Sequence, residues 1–202
     1  MRAPRAFANP FRPGAGHRPP YLAGRRHEQQ EFYKLLEQTV VTDNMVITGL
    51  RGVGKTVLLE ELKPAALADG WLWVGTDMSE SATISEANIA QRLITDLSVV
   101  TSTIKIGEDK SRSVGFTGRD KSVDVNLTYE NLIEIYNGTP GLVVDKLKAL
   151  FKVIAPCISA IGRKGVVFAY DEAQNLADQA QKEQYPLSVL LDLFQSVQRQ
   201  GV

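Results

Sequence analysis

Apolar residues at three- and four-residue spacing predict a series of amphipathic helices along the chain. The expected helices cover residues 27–40, the stretch after the glycines at 49–54, residues 85–101, residues 141–162 and the stretch from Tyr185 to Val197. Gly70 is placed to end the second helix and Ser85 to cap the third. Pro64 and Pro156 fall inside two of these helices and should kink or shorten them.

Three apolar stretches have the length of strands rather than helices. They are residues 44–48, 71–78 and 165–170. The third is almost continuously apolar, which is typical of a strand buried on both faces of a parallel sheet. Strands that alternate with helices predict an α/β domain with a parallel sheet.

The segment between residues 103 and 139 has a different pattern. Apolar positions Val123, Val125, Leu127 and Tyr129 alternate with polar ones, which indicates a half-buried strand. The pairs Ile104 with Ile106 and Val114 with Phe116 suggest partner strands. We therefore expect a β-hairpin insertion at 103–139, acting either as a packing decoration or as a surface that binds a partner.

The first residues form a separate region. Residues 1–26 contain six arginines and five prolines but no acidic residue. Because proline fixes φ and removes an N–H donor, this stretch is expected to be an extended arm. The chain is thus divided into an arm at 1–19 and a domain at 20–202. The arm could contact nucleic acid or a protein partner, or it could lie over the domain surface.

Composition excludes several classes of protein. The 202 residues carry 23 basic and 23 acidic side chains, so the net charge is zero and no general basic field attracts nucleic acid. Cys157 is the single cysteine, so a fold held together by disulfide bonds within the chain is excluded. No apolar run approaches the roughly 20 residues of a membrane span. No secretory signal is visible, and we expect a cytoplasmic protein without a membrane partner.

A glycine-rich loop follows the first expected strand. Its residues are Gly49, Leu50, Arg51, Gly52, Val53, Gly54, Lys55 and Thr56, which satisfy the pattern G-x-x-x-x-G-K-[ST]. The glycines let several N–H groups point into one concavity, where the following helix also begins. All eight residues are predicted to bind nucleotide phosphates. Lys55 should reach the β- and γ-phosphates, and the Thr56 hydroxyl should ligate Mg²⁺.

A second motif ends the strand at 165–170 with Asp171 and Glu172. Ligands of open α/β folds bind at the carboxyl ends of the strands, so both carboxylates should lie in the same site as the loop. We predict that Asp171 binds Mg²⁺, directly or through water. Glu172 is the candidate that orients and deprotonates the attacking water.

The two motifs resemble the Walker A and Walker B elements of AAA+ P-loop ATPases. Residues 20–28 also resemble the L-x-G-R-x-x-E segment of origin-initiator-like bacterial and archaeal members, through Leu22, Gly24, Arg25 and Glu28. In that group the segment packs near the adenine, so the resemblance implies base contacts from Leu22, Ala23 and Gly24. Residues 171–174 resemble the D-E-A-Q version of Walker B; Gln174 is assigned no catalytic role.

The resemblance also implies parts that this sequence does not contain. The expected fold is a three-layer αβα sandwich with a parallel sheet, in which a further strand lies between the P-loop strand and the Walker B strand. That strand carries a sensor residue, and an arginine finger and a helical lid follow it. Only 31 residues follow Asp171. We therefore expect a fold that is incomplete at the C-terminus, with a sheet that lacks a central strand, and weak nucleotide binding and poor hydrolysis by the chain alone.

The function implied by this resemblance is Mg²⁺-dependent ATP hydrolysis that changes the conformation of a protein partner or a homo-oligomer. A nucleotide-binding switch with slow turnover remains open. So does a DNA-binding initiator, which rests on the family likeness and the arginine-rich arm. GTP is disfavoured because the N-K-x-D motif is absent.

Overall fold

The computed structural model describes residues 24–79, 85–110 and 122–199. The helices are α1 (Arg26–Glu37), α2 (Lys55–Ala68), α3 (Glu86–Thr101), α4 (Tyr129–Gly138), α5 (Val143–Ala160) and α6 (Pro186–Arg199). The strands are β1 (Leu72–Asp77), β2 (Lys105–Lys110), β3 (Ser122–Asn126) and β4 (Val166–Asp171). Two 3₁₀ turns, Ala173–Asn175 and Ala180–Lys182, lie between β4 and α6.

Strands β1 and β4 pair in parallel, as the alternation of strands and helices predicted. Their register runs from Leu72 opposite Val166 to Asp77 opposite Asp171. The carboxyl end of β4 therefore lies beside the carboxyl end of β1. Strands β2 and β3 pair antiparallel in a second sheet. The division of the chain into an arm, a domain and an insertion stays a prediction, and the arm lies outside the described residues.

Alternate residues of β4 pack into two different apolar clusters. Val167 and Ala169 contact a cluster that includes residues of α1 and α2. Phe168 and Tyr170 contact a larger cluster built from α3, α4, α5 and α6. Since successive side chains of a strand point to opposite faces, helices cover both faces of the β1–β4 sheet.

The larger cluster contains most of the buried apolar residues. Its fully buried leucines are Leu93, Leu97, Leu127, Leu132, Leu147, Leu150 and Leu193. Burying one such side chain contributes about 1.5–3 kcal/mol relative to leaving it in water. The rings of Phe151 and Phe194 pack on the ring of Phe168. Their centroids lie 5.8 and 5.1 Å, respectively, from the Phe168 centroid. These contacts hold β4, and with it the position of Asp171.

The expected strand at 44–48 is wrong: these residues have no strand partner in the described part of the chain. Met45 and Ile47 pack against the α1–α2 cluster, whereas Val46 is 79% exposed, so the apolar alternation is real. A ladder also needs a hydrogen-bonded neighbour, however. A cavity separates this segment from β4. We call residues 43–48 the unpaired segment.

Of the two effects expected of Pro64 and Pro156, a kink or a shortened helix, the shortening is wrong. Helix α2 continues to Ala68 and α5 to Ala160. Both prolines are exposed, as are the residues four positions earlier, Glu60 and Lys152. Water can therefore bond the carbonyl that each proline leaves without an N–H donor, which lowers the cost of continuing the helix.

Helix α4 was not predicted, because the strand alternation was extended through Tyr129. Thr128 caps this helix, and its hydroxyl accepts from the Asn131 N–H at 3.5 Å. The suggested strand around Val114 and Phe116 lies outside the described residues. Among the helices that are described, none is long and apolar enough to cross a membrane.

Candidate nucleotide-binding site

The glycine-rich loop leads directly into α2. Gly52 has a φ of +81° and Gly54 a φ of +83°, a region that side chains with a Cβ rarely adopt. Gly54 is also the N-cap of α2. Since glycine has no side chain, this cap leaves the first N–H groups of the helix for another acceptor. Such a helix end, with its positive dipole, suits an anion.

Lys55 is turned back over the loop. Its Nζ donates to the Gly49 carbonyl and to the Leu50 carbonyl, each at 3.0 Å. The ammonium group thus lies beside the concavity that the loop encloses. Phosphate oxygens would replace these two neutral acceptors with charged ones, which make stronger hydrogen bonds.

The two motifs meet at Thr56 and Asp171. The Thr56 hydroxyl donates to Asp171 Oδ2, although the residues are 115 positions apart. The other carboxylate oxygen, Oδ1, accepts from the Glu172 N–H at 2.8 Å. Parallel pairing of β1 with β4 and packing of α2 on the sheet bring these groups together. The structure thus brings the end of the glycine-rich loop and the end of β4 together.

Glu172 lies on a sharp turn after β4. Its φ of 53° and ψ of 33° are left-handed, which is uncommon for a residue with a side chain. The Gln174 amide donates to the Glu172 carboxylate. Asn175 donates to the Met78 carbonyl at 2.8 Å and so fixes this turn to the chain after β1. Strained backbone of this kind often occurs at functional sites.

Tyr170 precedes the acidic pair and points to the opposite face of the sheet. Burial, and second the nearby Asp96 carboxylate, raise the pKa of the Tyr170 phenol well above its ordinary value. Tyr170 therefore remains neutral at physiological pH. The residue before the acidic pair therefore adds no charge to the site, and its hydroxyl is buried.

The segment before α1 also reaches the loop. Gly24 is exposed and has a φ of +75°; Leu22 and Ala23, the other expected adenine contacts, lie outside the described residues. Arg25 donates to the Val53 carbonyl at 2.9 Å and to Glu28 at 2.5 Å. The hydrogen bond from Arg25 lowers the pKa of Glu28 below its ordinary value.

A cavity of about 1180 Å³ extends from the loop along β4. Its walls include Gly49, Arg51, Lys55, Asp171 and Glu172, so five of the predicted site residues border one space. Its other walls come from the unpaired segment, the edge of β4 and apolar residues of both clusters. The cavity is larger than most small-molecule sites, because it also includes the gap beside β4.

Thr56 and Asp171 fit a magnesium ion. Both present oxygen atoms, which Mg²⁺ prefers, and their oxygens are already adjacent. Mg²⁺ is usually held by one or two such protein ligands together with water and substrate phosphates. The Lys55 ammonium and the start of α2 lie where those phosphates would be bound.

Sequence reasoning did not identify every residue that shapes this site. Arg25 and Glu28 belonged to a recognised segment but were given no role, and Gln174 was left without one. The contact between Arg25 and Val53 joins residues 28 positions apart. The residue spacing of helices and strands cannot predict a contact between residues so far apart in the sequence.

Comparison with known proteins gives one family. The searches of curated proteins and of solved structures found no match. A family model described as an AAA ATPase domain matches residues 21–201. The matched range contains the glycine-rich loop, the Asp171–Glu172 pair and the hydrogen bond that joins them. With nearly all of its length matched, the chain belongs to the AAA ATPase domain family.

Proposed function

We propose that this chain binds ATP with Mg²⁺ between residues 49–56 and the Asp171–Glu172 pair, and hydrolyses it to change the conformation of a partner or an assembly. The observation that carries the proposal is the hydrogen bond from Thr56 to Asp171. It joins the end of the phosphate-binding loop to the end of β4, as Mg²⁺-dependent phosphoryl transfer requires. Membership of the family supports ATP as the substrate.

Each residue has a separate task in this proposal. The N–H groups of residues 49–56 hold phosphate oxygens, and Lys55 neutralises charge on the β- and γ-phosphates. Thr56 and Asp171 would hold Mg²⁺, which when bound neutralises phosphate charge as a Lewis acid. Glu172 orients a water molecule and accepts its proton. The amide of Gln174 donates to one of its carboxylate oxygens, Oε2, and so orients the carboxylate.

The test is ATP binding and turnover by the wild type and three variants. We expect Lys55→Ala to lose binding and Glu172→Gln to bind ATP with turnover about 10²–10⁴-fold lower. Lys63→Ala is the control, because Lys63 lies on the same helix but outside the loop. Circular dichroism checks that each variant folds. Full ATP affinity in folded Lys55→Ala would refute the assignment of this site.

A switch that retains nucleotide without turnover is the second candidate. Two observations favour it: Lys55 is engaged by loop carbonyls, and the Glu172 carboxylate is held within its own turn. In both contacts a group with a proposed role in hydrolysis is bound within the chain. Slow nucleotide release with no phosphate production by the wild type would support the switch over the ATPase.

We further propose a three-layer αβα fold with a sheet that lacks a central member in this chain. The cavity between the unpaired segment and β4 supports this interpretation, because it has room for a strand there. Such a strand would lie between the two apolar clusters, which both line the cavity. A monodisperse monomer that unfolds in one cooperative transition would count against it.

The narrower family likeness has support from sequence only. We propose that the chain is an origin-initiator-like ATPase of the cytoplasm, which acts on a protein partner or as a homo-oligomer. In one version of this proposal, residues 1–19 bind DNA. DNA affinity that falls steeply with salt and disappears on deletion of residues 1–19 would support that version.

A further inference from the structure

Arg25 makes a contact that nucleotide binding by the loop alone does not explain. One terminal nitrogen of its guanidinium donates to the Val53 carbonyl at 2.9 Å, and the other donates to Glu28 at 2.5 Å. The Arg25 side chain is only 18% exposed and that of Glu28 only 27%. Arg25 therefore joins the start of α1 to the fifth position of the phosphate-binding loop.

The Val53 carbonyl is part of the peptide unit that also contains the Gly54 N–H. The described residues contain no cis peptide bond. In a planar trans peptide the carbonyl and the N–H point in opposite directions. Holding the carbonyl outward on Arg25 consequently turns the Gly54 N–H away from Arg25, toward the other side of the loop.

This peptide has neighbours that would allow it to rotate. Gly52 and Gly54 flank Val53, and glycine reaches more backbone conformations than any other residue. Val53 is 42% exposed, so its side chain is only partly held by packing. A fixed hydrogen-bond donor is therefore needed to keep one orientation of the peptide in the absence of nucleotide.

We propose that Arg25 is a positioning residue, which pre-orients the Gly54 N–H toward the phosphates of the nucleotide, and that Glu28 holds Arg25 in place. The inference rests on the proposed function, because it assumes that phosphates occupy the loop. Arginine suits the role because its planar fork presents donors to two acceptors at once. A lysine at this position would offer a single nitrogen.

The experiment measures ADP–Mg²⁺ affinity and the Gly54 amide signal in the full chain. Labelling valine carbonyls with ¹³C and glycine nitrogens with ¹⁵N leaves three Val-Gly amide signals, from Gly54, Gly75 and Gly115. Val53→Ala removes one of them and so assigns the Gly54 signal. Arg26→Met is the matched control, because Arg26 is the next residue and is exposed.

We expect Arg25→Met to shift the Gly54 signal in the nucleotide-free protein and to weaken ADP binding about tenfold, in line with the loss of a charged hydrogen bond. Arg25→Lys should recover part of the affinity. Glu28→Gln should weaken binding less than Arg25→Met, since its amide oxygen still accepts from Arg25. Arg26→Met should change neither readout.

The outcomes separate the inference from the proposed function. If Arg25→Met binds ADP within twofold of Arg26→Met, the inference is overturned while the proposed function stands. Weaker binding with an unmoved Gly54 signal also overturns it, because Arg25 would then contact the nucleotide itself. A folded wild type that binds no nucleotide overturns the proposed function and this inference together.

Discussion

The hydroxyl of Thr101 anchors the base of the β2–β3 hairpin to the core. Thr101 is the last residue of α3, is fully buried, and donates to the Leu127 carbonyl at 2.9 Å. Leu127 follows β3 and is also fully buried. Replacing Thr101 by valine keeps the size of the side chain but removes the only hydrogen-bond donor that it carries.

The magnitude follows from the acceptor that this change leaves behind. A buried carbonyl that loses its partner costs about 1–3 kcal/mol of the free energy of unfolding. With a urea m-value of about 2 kcal/mol/M, the unfolding midpoint should fall by roughly 0.5–1.5 M. Thr101→Ser keeps the hydroxyl and loses one methyl group, so it should lower the free energy of unfolding by about 1 kcal/mol.

Urea unfolding followed by circular dichroism measures both variants against the wild type. The m-value should stay constant, because the change does not alter the surface exposed on unfolding. If Thr101→Val unfolds at the wild-type midpoint, or loses less stability than Thr101→Ser, the hydrogen bond to Leu127 does not stabilise this region.

Three further predictions concern α3. Ser85→Ala should lower the free energy of unfolding by about 0.5–2 kcal/mol, because the Ser85 hydroxyl accepts from the Asn88 N–H at the helix start. Chemical denaturation measures this loss, and an unchanged midpoint would contradict it. Leu93→Ala should lower the free energy of unfolding by about 2–5 kcal/mol in the same assay, since Leu93 is fully buried. A loss below about 1 kcal/mol would show that neighbouring side chains fill the cavity left by the substitution. Burial raises the pKa of Asp96 above 3.8, opposed in part by Arg92. The stability linked to this carboxyl is therefore full below pH 3.8 and is lost as pH rises through the folded-state pKa. Asp96→Asn should accordingly gain stability relative to the wild type between pH 3.5 and pH 7, and a pH-independent difference would refute the assignment.

Local pattern predicted most of the described helices and a parallel sheet, although not that β1 and β4 are neighbours in it. Phe32, Leu36, Leu93 and Leu147 occupy the apolar faces of their helices and are buried, because helical spacing alone determines which side chains share a face. The glycine-rich loop was predicted for a similar reason, because its glycine positions and the Lys55–Thr56 pair form a pattern within eight consecutive residues.

The features that were missed depend on tertiary packing and on which groups solvent can reach. The segment around Met45 and Ile47 has strand-like alternation, but it has no neighbour to complete a ladder. Pro156 does not end its helix, because solvent reaches the carbonyl that it leaves free. Whether Arg25 lies in solvent or on Val53 depends on how α1 packs against the loop. Sequence spacing specifies none of these arrangements.

The two-sided packing of β4 has a consequence for how insertions and deletions affect this site. Small side chains at 167 and 169 face α2, and aromatic ones at 168 and 170 face the larger cluster. One residue added or removed within the strand would exchange these faces and turn Asp171 away from Thr56. Length changes in the turn at 161–165 would leave the register intact. Homologous chains should therefore vary in length before Val166 and keep the spacing from there to Asp171 constant.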